Sequence, residues 1–390
     1  MQSKIVLVII FISSISILPV FSFEISQVKV GASPWAVSVN PMTDRIYVTN
    51  SGNDSVSVID GKTNDIIKNI IVGESPTGVA VNQATNFIYV SKFSAPTVSV
   101  IDGNTNTVTA TIPVKTQPNG IGINEITNQI YITNTGSASV SVIDGKTNSV
   151  IVTIPVAARP TAVAINPSTN IAYVTNSGND SVSVIDGKTN DIIKTIPVGS
   201  GPTGVSINQE SNQIYITSSK TAQVFVIDGN TNTITANITV GANPDGVSVD
   251  SKINKIYVAN SGDGTISVID GKTNTISETI PAGTHVYGIA VDPSTSTIYA
   301  GNDSPGIVYV ISESEKSQAA NNDIWSNIVN SYCTQNQDYS CSHYSSSHYS
   351  ISQIIFSKYR IKDWSSENGN NFYRYDLSSK KFFCKYFIYF

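Results

Sequence analysis

The stretch YVTNSGNDSVSVIDGKTNDIIK, at residues 47–68, occurs a second time without a change at residues 173–194. The two copies begin 126 residues apart, which is three times 42. Every 42 residues a Val or Ala opens the same pattern, at Val30, Val72, Val114, Val156, Val198, Val240 and Ala282. An internal period of about 20 to 50 residues is typical of solenoids and propellers. The sequence therefore predicts one structural unit built seven times.

Each unit reads as four short strands. In the fourth unit, alternating or β-branched segments lie at 161–165, 171–175, 181–185 and 191–198. The segments NPSTN, NSGND and DGKTN between them are rich in the residues of tight turns. No window shows the apolar spacing of a helix. The pattern predicts an all-β fold whose 42-residue unit is a four-stranded propeller blade.

The first strand of each unit alternates large with small residues instead of large with polar ones. In the first unit Val37 and Val39 alternate with Ala36 and Ser38. Both faces of such a strand are expected to be dry, and the small residues let a neighbouring sheet come close. This favours blades packed face to face around an axis.

The seventh unit, 282–315, lacks its last strand, because SESEKSQAANN follows where an alternating strand belongs. The missing strand is expected at the other end of the chain, where ISQVKV at 25–30 has the right alternation. We expect it to pair beside 307–311 and to close the ring, which removes open sheet edges. The prediction is a seven-bladed β-propeller.

The ends of the chain differ from the repeats. Residues 1–22 have the short polar start, the apolar run and the small residues of a secretory signal peptide, with cleavage expected after Ser22. An uncleaved leader that anchors the chain in a membrane is the alternative. The propeller is assigned to 23–315 and the tail, 316–390, is expected to be low in complexity and mostly disordered. A disulfide between Cys333 and Cys341 fits the tail better than a metal site.

The charge of the chain limits its partners. The net charge is −5, and acidic residues outnumber basic ones in the repeats. Nucleic-acid binding needs a basic face that neutralises phosphates. We therefore expect no nucleic-acid partner.

The repeated motifs resemble those of a known family. YVTN at 47–50 and 173–176, its variants YVSK, YITN, YITS, YVAN and YAGN, and the recurring VIDGKTN are similar to those of the YVTN β-propeller repeat proteins. The resemblance spans residues 23 to about 315. It implies a propeller fold and a secreted or surface-layer location with a binding role. Wider relatives of that group include lactonases and a streptogramin-opening lyase.

Residues that repeat in every unit are interpreted as architecture. The Asp of each VIDG is expected to cap its turn, because one carboxylate is too few for Ca²⁺. The polar residue that ends each first strand, such as Asn40, is also expected to cap a turn. The alternative for these seven residues is a ring that holds a cation or water. No metal site is predicted.

A ligand site is instead expected where the units differ. The loops that lead into the first strands vary, and in a propeller they share one face around the axis. Unremarkable loop drift is the alternative. The predicted ligand-binding residues are Trp35, Asn119, Arg159, Asp245, His285 and Tyr287.

No catalytic motif is present. The propeller has one histidine, His285, and no cysteine, and it lacks the nucleophile-elbow and zinc-helix motifs. The expected function is a non-catalytic scaffold at the cell surface that binds a protein or a glycan and needs no cofactor. A lactonase-like or lyase-like enzyme centred on the channel is the alternative.

Sequons support an extracellular location, although three-residue sequons are common by chance in such a chain. Asn53, Asn179 and Asn237 are the predicted glycosylation sites, and Asn302 begins a further sequon weakened by Pro305.

Overall fold

The computed structural model describes residues 21–283, 285–315, 374–376 and 381–383. The predicted signal peptide lies outside these residues except for its last two positions. The proposed disulfide of the tail, and most of the tail's expected disorder, also lie outside them. No helix within the described segments is long and apolar enough to cross a membrane.

The described part of the propeller is almost entirely β-strand. It begins with β1 (Phe21–Lys29), and its one short 3₁₀ helix is Thr135–Ser137. The blades, numbered in chain order, contain the following strands. Blade one has β2 (Pro34–Asn40), β3 (Arg45–Asn50), β4 (Ser55–Asp60) and β5 (Ile66–Ile71); blade two has β6 (Pro76–Asn82), β7 (Phe87–Lys92), β8 (Thr97–Asp102) and β9 (Thr107–Pro113); blade three has β10 (Pro118–Asn124), β11 (Gln129–Asn134), β12 (Ser139–Asp144) and β13 (Ser149–Pro155); blade four has β14 (Pro160–Asn166), β15 (Ile171–Asn176), β16 (Ser181–Asp186) and β17 (Asp191–Pro197). Blade five has β18 (Pro202–Asn208), β19 (Gln213–Ser218), β20 (Gln223–Asp228) and β21 (Thr233–Thr239); blade six has β22 (Pro244–Asp250), β23 (Lys255–Asn260), β24 (Thr265–Asp270) and β25 (Thr275–Pro281); blade seven has β26 (Val286–Asp292), β27 (Thr297–Asn302), β28 (Ile307–Glu315) and β1.

Each blade is a four-stranded antiparallel sheet, so the predicted all-β, seven-bladed fold is confirmed. In the tail unit, 317–390, two further strands, β29 (Arg374–Asp376) and β30 (Lys381–Phe383), pair as a hairpin.

The N-terminal strand closes the ring as predicted. β1 pairs antiparallel with β28, with Ile25 opposite Ile311 and Val28 opposite Val308. The strand is longer than the predicted 25–30, because its pairing extends back to Phe21 opposite Glu315. The first and last parts of the propeller sequence therefore share one sheet.

Close contact between neighbouring inner strands explains their large and small alternation. A Cβ added to Gly120 would lie 2.6 Å from the carbonyl oxygen of Thr161 in the next blade. A Cβ on Gly288 would lie 2.7 Å from Cα of Ala36 across the junction of blades seven and one. Even the Cβ of an alanine does not fit at these two glycines without movement of the blades.

The tyrosine of every YVTN-type motif is buried between blades. All seven are at most 2 % exposed, at positions 47, 89, 131, 173, 215, 257 and 299. Burial raises the pKa of Tyr173 to about 12, and its hydroxyl donates to Oδ1 of Asn232, 2.8 Å away in the next blade. These rings form the layer of large side chains on which adjacent sheets pack.

The third residue of the motif forms a hydrogen-bonded bridge between blades. Thr133 Oγ1 accepts from the backbone N–H of Gly120, 2.8 Å away, and donates to the carbonyl oxygen of Thr161, 3.1 Å away in blade four. Thr49, Ser91, Thr175 and Thr217 make the same bridge at four other junctions. We call this contact the hydroxyl bridge.

The polar residue that ends each inner strand also has two roles. Asn124 Oδ1 accepts from the backbone of Ile126, 3.0 Å away, which is the predicted turn cap. Its Nδ2 donates to Oδ1 of Asn170 in the next blade, 2.6 Å away, a role that the sequence did not reveal. We call this contact the amide bridge.

The hydroxyl bridge is a buried contact whose loss should be measurable. We expect Thr133→Ala to lower the free energy of unfolding by about 1–3 kcal/mol, because a backbone donor and acceptor lose their buried partner. Thr133→Ser keeps the hydroxyl and should cost less than half as much. Calorimetric melting of both variants tests this, and equal losses would show that the methyl group matters and the bridge does not.

Candidate functional site

The loops that lead into the inner strands surround one mouth of the ring, and we call them the mouth loops. Each loop has one residue with a left-handed backbone conformation, with φ between 48° and 69°. It lies two positions before the residue that corresponds to Trp35 in blade one and to Tyr287 in blade seven. The left-handed residues are Ser33, Ser75, Gln117, Arg159, Gly201, Asn243 and His285. Their carbonyl oxygens accept from the loop between the second and third strands, as from Ser177 to Arg159 at 3.0 Å. These hydrogen bonds fix the backbone of the mouth loop in every blade, while the side chain at the left-handed position differs from blade to blade.

Three of the six predicted ligand residues lie together. The rings of Trp35 and Tyr287 stack with centroids 4.8 Å apart and planes 20° apart. His285 lies 6.4 Å from Tyr287, tilted by 49°. Trp35 is 40 % exposed, and His285 is exposed as well. We call these three side chains the aromatic cluster; it lies across the junction of blades seven and one, which ring closure makes neighbours.

Asp245 lies close to this cluster. The carboxyl group is half-buried, and Ser261 Oγ lies 2.8 Å from its Oδ2. Burial raises the pKa of Asp245, and the hydrogen bond from Ser261 opposes this only partly. Burial, Asp245 and Asp303 together raise the pKa of Tyr287. A carboxyl group that binds its proton unusually tightly therefore lies near the exposed aromatic rings.

The other two predicted residues lie in other blades. Asn119, in blade three, is half-buried, and its carbonyl oxygen accepts the hydroxyl bridge from Ser91. Arg159, in blade four, is exposed. Blades three and four lie across the ring from blade seven, so neither residue joins the aromatic cluster. Their role in ligand binding stays a prediction.

Sequence reasoning missed two residues near the site. Ser261 occupies a position that is Ser in several blades, so only its neighbour Asp245 gives it a special role. Asp303 replaces that serine in blade seven, and its backbone N–H donates to the carbonyl oxygen of His285, 3.1 Å away. The change from Ser to Asp was the available signal.

A groove of mixed polar and apolar lining lies where blades seven and one meet. It has a volume of about 790 Å³ and is lined by Lys29, Ser33, Asn53, Asn69 and Asp303 among others. It contains no imidazole or thiol. Within the described segments no group of three or more His, Cys, Asp or Glu side chains is arranged to hold a metal ion.

The predicted glycosylation sites differ in accessibility. Asn53, Asn179 and Asn237 are exposed, so their glycosylation stays a prediction that the geometry permits. Asn302 is only 2 % exposed, and its Nδ2 donates to the carbonyl oxygen of Ala282. A glycan cannot be attached to this buried amide in the folded ring.

A comparison with family sequence models matches residues 165–381 to the family described as "Cytochrome D1 heme domain". The match covers more than half of the 390 residues. The chain belongs to this family. The expectation of a non-catalytic scaffold for proteins or glycans is therefore wrong. It rested on the resemblance to YVTN repeat proteins and on the absence of catalytic motifs, and neither excludes a bound cofactor.

Solved structures support the fold. Hydrazine synthase of Kuenenia stuttgartiensis superposes with a TM-score of 0.66 at 18 % identity, over 74 % of this chain and 97 % of that one. At this identity the likeness shows the propeller fold alone. No curated protein sequence matches the chain.

The raised pKa of Asp245 predicts a pH dependence of stability. The folded chain binds this proton more tightly than the unfolded chain, whose aspartate pKa is about 3.9. Stability is lost as the pH rises from that value through the folded pKa. Asp245→Asn has no charge to develop and can still accept from Ser261. We expect the melting temperature of the variant, relative to the native chain, to increase with pH across this window.

Asp60 provides a control of opposite sign. The backbone N–H of Lys62 has the largest effect and lowers the pKa of this carboxyl. Burial opposes it, and the N–H of Thr63 and the charge of Arg45 lower the pKa further. Its contribution is present above the unfolded pKa and is lost as the pH falls. Asp60→Asn should therefore be less stable than the native chain near neutrality, with the difference shrinking in acid. A pH-independent difference for Asp245→Asn would contradict the assignment of a buried, proton-binding carboxyl.

Proposed function

We propose that this propeller binds a heme-type tetrapyrrole at the aromatic cluster and supports redox chemistry there. Membership in the Cytochrome D1 heme domain family brings such a group into consideration. The observation that carries the proposal is the position of His285, an exposed imidazole beside two stacked aromatic rings. It is the only histidine in residues 23–315.

The donor set of the described residues fits a heme better than a free metal ion. A bare ion needs several protein ligands, and no group of three or more potential ligands occurs in the segments that the structure describes. The iron of a heme already has four ring nitrogens, so one imidazole from the protein is sufficient. His285 offers that imidazole on a loop whose backbone is fixed by Ser261 and Asp303.

The neighbouring side chains suit a flat, apolar ring with acidic substituents. Trp35 and Tyr287 present aromatic faces to a macrocycle, which favours offset stacking. Arg159 occupies the mouth-loop position of blade four that His285 occupies in blade seven. Its exposed guanidinium lies across the ring from the aromatic cluster, so it would pair with a carboxylate only of a macrocycle that spans the mouth.

A bound heme supplies one-electron chemistry at its iron. The protein supplies binding and orientation. His285 would coordinate from the mouth loop, and the ring of Tyr287 would limit the tilt of the imidazole. Asp245 and Ser261 would hold a hydrogen-bonding carboxyl group next to the bound ring.

We further propose that the chain is of the YVTN-repeat type and is exported to the cell surface or beyond. The support is the YVTN motif at 47–50 and 173–176, its 42-residue period, and the signal-like residues 1–22. Exposed Asn53, Asn179 and Asn237 are compatible with that location.

Titration with hemin tests heme binding on the full chain. We expect a shift of the Soret band with one site per chain, and at least about a tenfold weaker affinity in His285→Ala because the iron loses its protein ligand. Trp35→Ala should weaken binding by ~0.5–1.5 kcal/mol through lost stacking.

The tail contains the only other histidines, His343 and His348, and offers a matched control. Replacing both with alanine should leave the spectrum and the affinity unchanged. Hemin binding that survives His285→Ala but not the tail variant would overturn the proposed site, and failure of the native chain to bind hemin would overturn the proposed function.

A further inference from the structure

The amide bridge recurs at the first five blade junctions. Nδ2 of the inner-strand Asn lies 2.6 to 2.9 Å from Oδ1 of an Asn in the next blade. The pairs are Asn40 with Asn86, Asn82 with Asn128, Asn124 with Asn170, Asn166 with Asn212, and Asn208 with Asn254. The hydroxyl bridge spans the same five junctions.

The sixth junction has neither the amide bridge nor the hydroxyl bridge, but other side-chain contacts take their place. Ala259 stands where the hydroxyl belongs, but Ser296 Oγ donates to Asp250 Oδ2, 2.8 Å away. The backbone of Val291 donates to Ser248 Oγ at 3.1 Å, and Lys255 forms an ion pair with Glu313. Blades six and seven are therefore still joined by side-chain hydrogen bonds.

The seventh junction loses both bridges without replacement. Asp292 and Asp44 occupy the two positions of the amide bridge, and Asp292 is 1 % exposed. Two carboxylates offer no N–H donor to each other. Gly301 occupies the position of the bridging hydroxyl, so the carbonyl oxygen of Trp35 receives none. Among the described residues no side-chain hydrogen bond joins 286–311 to 34–71.

Apolar contacts of the kind found at the other junctions are what remains at this one. Val37 and Val48 of blade one pack with Tyr299, Val308 and Val310 of blade seven. At the mouth, Trp35 stacks directly on Tyr287. Such contacts are non-directional and tolerate sliding or separation better than paired hydrogen bonds do.

We propose that the ring opens at the junction of blades seven and one, and that a flat ligand that contacts both Trp35 and the blade-seven side chains of the aromatic cluster closes it. The opening follows from the missing bridges alone. The identity of the ligand rests on the proposed function. Binding to both sides of the junction would favour the closed ring by its differential affinity for that state.

The structure allows the missing bridges to be restored. A Cβ at Gly301 would lie 3.5 Å from Val37 Cγ2 and 3.7 Å from Pro34 Cβ, which is ordinary contact, and no positive φ prevents a side chain there. Gly301→Ser therefore supplies a hydroxyl near the carbonyl oxygen of Trp35. Asp292→Asn supplies the missing donor to Asp44 and keeps the oxygen that caps Ser294.

Hydrogen exchange of the ligand-free full chain tests the opening. We expect amides of β2 and β26 to exchange faster than the equivalent amides of β10 and β14, and the double variant Gly301→Ser/Asp292→Asn to slow them by about tenfold. Asn124→Asp/Asn170→Asp/Thr133→Gly transfers the seventh junction's residues to the third and should speed exchange in β10 and β14. Equal exchange at the two junctions of the native chain would overturn the proposal, even if the transferred variant fails to fold.

Hemin is the probe for closure. We expect it to slow exchange of β2 and β26 in the native chain, and not in Trp35→Ala at equal occupancy. It should also bind the double variant more tightly, because that ring is already closed and no binding free energy is used to close it. Protection spread evenly over all blades would overturn the closing role. Absence of hemin binding together with fast exchange at this junction would overturn the proposed function and leave the opening supported.

Discussion

The close approach of adjacent inner strands is the constraint on which this ring depends. A carbonyl oxygen of one blade lies against the backbone of the next, so that Gly120 has no room for a side chain. A hydroxyl from the second strand, Thr133 in blade three, then satisfies groups on both blades. Large side chains are displaced to the layer farther out, where Tyr131 is fully buried. The repeat therefore encodes one packed junction, copied around an axis.

A ring built from one repeated junction can vary in sequence only at positions that the packing of the junction does not constrain. The mouth-loop residues meet this condition because their backbone is fixed by carbonyl hydrogen bonds, and the larger side chains among them, such as Arg159 and His285, are exposed. Serine, glutamine, arginine and histidine all occur there without changing the fold. Blade seven uses that freedom most, since it carries His285 and Tyr287. It also departs from the repeat at Gly301 and Asp292. The blade that carries the proposed ligand residues is therefore also the blade whose junction with blade one lacks both bridges.

Sequence alone specified the ring but only part of the site. Strand order and closure were predictable because alternation and a 42-residue period are local signals, and 25–30 matched the missing strand. The meeting of Trp35 with Tyr287 followed from closure. The role of Ser261 was not predictable, because serine is common at this position of the repeat and only the hydrogen bond to Asp245 distinguishes it. The bridging role of Asn124 was not predictable either, because an asparagine at this position is equally well explained by the turn cap alone. A ligand leaves no periodic trace, which is why the expected scaffold function was wrong.

A site placed on the weakest junction of a ring has a thermodynamic consequence. Part of the binding free energy is used to close the junction. The observed affinity is therefore the affinity of the closed ring multiplied by the fraction of rings that are closed before binding. By the same linkage, any ligand that binds only the closed ring stabilises the whole propeller. Had Trp35 and Tyr287 lain within one blade, stacking on them would have done nothing for the ring. Because they lie on either side of the junction that lacks both bridges, ligand binding and ring closure would be one event.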